Sequence, residues 1–159
     1  KDRKVGVGHG KCFKAAFFTF IQCRKGGAHN MNRGKYIIVT NNPLVLEKHG
    51  DTHEVIYREV SYEDVLREVR DRIHEGHSML THPLSGSVKQ NETPYKSIMI
   101  SAERSAIDGE SVALIESAIH ACGKFEFKSD RYKPEVYKDF QIIDCTLIES
   151  GMASADALR

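Results

Sequence analysis

The 159-residue chain contains no tryptophan, four prolines and four cysteines. Cys12, Cys23, Cys122 and Cys145 form no CxxC pair and show no zinc-ligand spacing, so neither a zinc finger nor a redox dithiol is expected. Two of them sit in apolar helical patterns, where a free thiol behaves as a small hydrophobe, and this fits a reducing, cytoplasmic setting. Nowhere do 18 apolar residues run together, so no transmembrane helix is expected. Nucleophile-elbow, HExxH and EF-hand patterns are missing. A net charge of +1 argues against a dedicated nucleic-acid binder.

That total hides an asymmetry. Residues 1–34 carry eight Lys/Arg against one Asp, whereas residues 35–159 hold 15 basic and 21 acidic residues. The glycines Gly6, Gly8 and Gly10 before Lys11 suggest a phosphate loop. However, Val5 stands where a Walker A loop needs its first Gly, and Cys12 replaces the Ser/Thr. The apolar run 15–21 follows a basic start, yet no small-residue cleavage site comes after it. Residues 1–30 are therefore expected to be a non-core basic leader, a translated upstream or appended segment, and residues 31–159 a single domain.

The body alternates strands and helices. Residues 35–40 form an apolar, β-branched run, followed by Asn42 as N-cap and Pro43 at the first position of a short helix. A second strand is expected at 55–57 and a third at 79–81, with another at 97–101. Helices are expected over 61–76, 108–123 and 134–150. Ser61 and Asp64 approximate a capping box, and Asp108 is an N-cap. The expected buried stripes are Val65, Leu66, Val69 and Ile73, then Val112, Ile115, Ile119 and Cys122, then Val136, Phe140, Ile143 and Leu147. Phe125-Glu126-Phe127 alternates like a short strand. This order predicts an α/β domain: a small, three-layer, Rossmann-like arrangement with a largely parallel sheet and helices on both faces.

The long segment 81–97 is poor in helix formers and rich in polar side chains, as functional loops are. Ligands of open α/β sheets bind beyond the carboxyl ends of strands. The candidate ligand-binding set is therefore Asn41 and Asn42 after the first strand, with Thr81, His82, Ser85, Gly86, Ser87, Lys89, Asn91, Thr93, Tyr95 and Lys96 from the loop. Ser85-Gly86-Ser87 could cradle an anion with successive N–H groups, Lys89 or Lys96 supplying charge. The plainer alternative is a Ser/Gly turn that satisfies itself. His82 is the candidate acid–base group, against the simpler role of tying the loop to the sheet. Asp144 either lies on a solvated flank or is buried with a loop hydroxyl or Lys96 as partner. His74, His77 and His82 lack a completing carboxylate or thiol, so no metal and no cofactor are expected.

Three stretches, KYIIVTNNPLV, THPLSGSVKQNETPYKSIMIS and IIDCTLIES, resemble the GrdX family over residues 31–150. These are small proteins encoded beside the selenium-dependent glycine, sarcosine and betaine reductases of amino-acid-fermenting bacteria. The resemblance implies an accessory or regulatory protein that binds a small anionic metabolite or a reductase subunit. It supplies no catalytic set to carry over. An enzyme acting on a small anionic substrate through His82 is the alternative, and homo-oligomerisation stays open.

Overall fold

A computed structural model describes residues 35–86, 92–126 and 131–157. The expected leader 1–30, Ser87, Lys89, Asn91 and Phe127 lie outside the described residues. The elements are β1 (Tyr36–Thr40), α1 (Pro43–His49), β2 (Glu54–Tyr57), α2 (Tyr62–His74), β3 (Ser97–Ser101), α3 (Gly109–Cys122) and α4 (Pro134–Ala157).

The chain is a mixed α/β domain, and its sheet runs in the order β2-β1-β3. β1 and β2 are parallel, as a crossover through α1 requires, whereas β1 and β3 are antiparallel. The expected largely parallel, Rossmann-like sheet is thus replaced by a mixed one. The reason lies in the expected strand at 79–81. This segment follows α2 and runs antiparallel along the outer edge of β3, so β3 has entered between it and β1. Its pairing is reduced to one bridge, Met79 to Ile100. Side-chain hydroxyls occupy the ladder: Met99 N–H donates to Thr81 Oγ1 at 2.9 Å, and Ser78 N–H donates to Ser101 Oγ at 2.8 Å.

Alternation along β1 divides two apolar clusters. Ile37 and Val39, with Ile98 and Ile100 of β3, pack on Val65, Leu66, Val69 and Ile73 of α2 and on Ile115 and Cys122 of α3. Tyr36, Ile38 and Met99 pack on Val45 of α1 and on Cys145, Ile148 and Met152 of α4. The α2 and α3 stripes follow their sequence periodicity, and the caps Asn42, Ser61 and Asp108 form as expected.

Helix α4 departs from expectation twice. It continues through Gly151 to Ala157. There the glycine permits close approach to the sheet, since a Cβ would lie 3.0 Å from Thr81 Cγ2 and 3.3 Å from Met99 Sδ. Its buried face is Asp144, Cys145, Ile148 and Met152 rather than the expected stripe, and Ile143 and Leu147 stay 53% and 40% exposed. Burying the Asp144 carboxylate among its partners turns the helix by about one residue from the purely apolar solution. Phe125 and Glu126 form no strand, and Phe125 is exposed.

Candidate functional site

The carboxyl edge of the sheet gathers the end of β1, the end of β2, the start of β3 and the first half of α4. Thr40 faces Ser97 across the antiparallel pair. Asn41 ties three segments: its Nδ2 donates to Val60 O and Pro94 O, each at 2.9 Å, and its Oδ1 accepts the Lys96 N–H at 2.8 Å. Asn42 caps α1 through its Oδ1, while its Nδ2 donates to Gln141 O and to Asp144 Oδ2, each at 2.9 Å.

Asp144 is the hub. It is 6% exposed and accepts the Ser97 N–H at 2.9 Å, the Ser97 hydroxyl at 2.7 Å and the Asn42 amide. An ionised carboxylate can only accept, so the single Ser97 proton points to Asp144, and Thr40 must donate to Ser97 Oγ at 2.7 Å. Thr40 Oγ1 in turn accepts the Asn42 N–H at 2.9 Å. Burial pushes the Asp144 pKa up, against the pull of these bonds and of Lys96.

Lys96 is the second buried charge, 4% exposed. Burial lowers its pKa, and attraction to Asp144 opposes this. Its ammonium donates to Ser85 O at 3.0 Å. An ammonium has three donors, and this is the one hydrogen bond its Nζ makes among the described residues. Beside it lies a cavity of about 100 Å³ walled by Ser85, Gly86, Glu92, Thr93, Tyr95, Asp144 and the apolar side chains Phe140, Ile143 and Leu147. That is roughly three water volumes, room for a ligand of a few heavy atoms. Gly86 has φ +75°, a backbone conformation that favours glycine, and a Cβ there would press on the end of the Leu147 side chain. Gln141 Nε2 holds the Tyr95 hydroxyl at 3.0 Å, fixing the ring between this cavity and a larger one of about 460 Å³ beside Tyr57 and Tyr62.

Of the sequence candidates, Ser85, Gly86, Thr93, Tyr95 and Lys96 line the smaller cavity. Asn41 lines the larger cavity instead, and Asn42 lines neither. Ser85 turns its carbonyl to Lys96, and its N–H and hydroxyl both go to His82 O. Thr81 serves the β3 edge. His82 is exposed, its Nδ1 accepts the Leu84 N–H at 3.1 Å, and it lines neither cavity. His77 is committed elsewhere: its Nδ1 donates to Ser101 O at 2.7 Å and its Nε2 accepts from Arg104 at 3.1 Å. Thr40, Ser97 and Gln141 were not apparent as site residues. Asp144 carried the only usable signal, a carboxylate bordering an apolar stripe.

This edge belongs to a small mixed α/β domain whose buried lysine and aspartate flank a small cavity. The model of the GrdX-like protein family matches residues 37–153, and the chain belongs to that family. No curated protein and no solved structure matches it. No helix among the described residues is long and apolar enough to cross a membrane.

Proposed function

We propose that this GrdX-family protein is an accessory or regulatory protein of the glycine, sarcosine and betaine reductase system, and that it holds a small anionic metabolite against Lys96. The observation that carries this reading is the buried ammonium. A cation removed from water needs compensation, and among the described residues Lys96 hydrogen-bonds one neutral carbonyl, with Asp144 acting on it only by longer-range attraction. A carboxylate or phosphate oxygen in the adjoining cavity supplies the missing partner. Burial of the Lys96 side chain strengthens that contact.

The reading differs in one respect from an anion nest at Ser85-Gly86-Ser87. Ser85 presents an acceptor rather than its N–H, so the lysine, not the loop amides, is the recognising group. A catalytic role for His82 finds no support in this geometry, because its ring stands outside the cavity wall. The test is calorimetric titration of the full chain with acetate, glycine, acetyl phosphate and inorganic phosphate. Saturable binding of at least one, lost in Lys96→Met and little affected by salt, supports the proposal, since buried charges are weakly screened. Binding undiminished in Lys96→Met, or no binding of any of the four, overturns it.

A further inference from the structure

On the α1 side of the second apolar cluster, side chains of α1, of the turn after it and of α4 come together. His49 ends α1 and His53 follows four residues later, while Cys145 and Glu149 stand four apart on one face of α4. His49 Nε2 lies 3.1 Å from Glu149 Oε1, and Cys145 Sγ lies 3.5 Å from the same oxygen. The three ligand atoms all fall within 4.8 Å of one another.

We propose that His49 Nε2, Cys145 Sγ and Glu149 Oε1 form a binding site for a borderline divalent cation of the zinc class, with solvent in the fourth position. Tetrahedral zinc bonds place neighbouring ligand atoms about 3.3–3.6 Å apart; the 3.5 Å sulfur–oxygen separation falls in that range and the 3.1 Å nitrogen–oxygen separation just below it. One nitrogen, one sulfur and one oxygen suit zinc or cobalt and not the hard, all-oxygen cations. Charge also balances: a thiolate and a carboxylate neutralise M²⁺, the thiol proton passing to solvent as the metal enters. Glu149 is 36% exposed on its side chain and opens the site to water, whereas Cys145 is buried.

His53 lies edge-on to His49, with ring centroids 5.8 Å apart, and stacks on Tyr36 at 5.5 Å, its Nδ1 held by the Thr52 hydroxyl at 2.8 Å, so it stays outside the ligand set. The competing occupant is Lys48, whose ammonium donates to Glu149 Oε1 at 3.3 Å. That side chain is 49% exposed, and an exposed pair of this kind is weak enough for a metal to displace.

The experiment is cobalt(II) titration of the full chain, read by absorption, with zinc(II) added afterwards. The wild type should show intense tetrahedral ligand-field bands and a near-ultraviolet thiolate-to-cobalt band, both abolished by zinc. Cys145→Ser should lose the charge-transfer band, and Glu149→Gln, on the exposed side, should bind about tenfold more weakly or worse while keeping the wild-type circular dichroism. No thiolate-to-cobalt band in the wild type overturns the proposal. So does a band that survives Cys145→Ser, which would place the metal on Cys12, Cys23 or Cys122. Unchanged affinity in Glu149→Gln overturns it as well.

Discussion

Two groups of buried polar atoms differ in how they are satisfied. In one, Asp144 accepts three hydrogen bonds, and Thr40, Asn42 and Ser97 have every donor directed. In the other, Tyr36 Oη and His53 Nε2 are buried without a partner among the described residues. An unmet buried polar atom costs about 1–3 kcal/mol, so the first group holds the fold together and the second leaves polar capacity unused. Lys96 stands between these behaviours. Its side chain is buried, yet its ammonium makes one hydrogen bond among the described residues.

The largest test of this contrast is Asp144→Ala, which strands the Ser97 N–H and the Asn42 amide and leaves Lys96 without its compensating charge. It should cost about 3–5 kcal/mol in urea denaturation, and a cost below about 1 kcal/mol would show that the network is not structural. Ile115→Ala, a fully buried position on α3, should cost about 2–5 kcal/mol. Ile143→Ala on α4 should cost less than about 1 kcal/mol by the same measurement, because its side chain walls the cavity at 53% exposure. If the two isoleucines cost the same, the assigned face of α4 is wrong.

Lys96 gives a pH signature. Its folded pKa is lowered by burial, so the unfolded chain binds the extra proton in the window below the ordinary value of 10.5. Its contribution to stability therefore improves as pH rises from the folded pKa toward 10.5. Tyr36, Tyr57 and the buried thiols, all raised, act in the opposite sense, so the comparison must be made between variants. The stability of Lys96→Met relative to wild type should fall as pH is raised through that window; a flat difference would mean that Lys96 is not desolvated. The smallest effect is His82→Ala, expected within about 0.5 kcal/mol and without change in anion binding. Lost binding would return His82 to the site.

Local signals located nearly every element. The β-branched run before Asn42-Pro43 makes a buried strand, and Ser61 and Asp108 start their helices where a capping side chain meets an apolar period. The stripes on α2 and α3 were readable because apolar residues dominate those faces, Ser111 being the buried polar exception on α3. α4 was misread for the complementary reason: periodicity ranks Ile143 and Leu147 above Asp144, and no local rule reveals that Asn42 and Ser97, far away in the chain, offer that carboxylate three donors. The 79–81 segment failed similarly, since Thr81 and Ser101 look like ordinary strand residues until their hydroxyls are seen replacing ladder carbonyls.

Sequence by itself determined the α/β class, the caps, the apolar faces of two helices, the family resemblance and the loop that bears Lys96. Tertiary structure alone decided the direction of β3, the rotation of α4 and the meeting of His49 with Cys145 and Glu149. Capping and periodicity act within a few residues, which a sequence displays directly. Strand direction and buried polar pairing are settled between segments tens of residues apart, by which arrangement leaves the fewest backbone groups and charges unpaired.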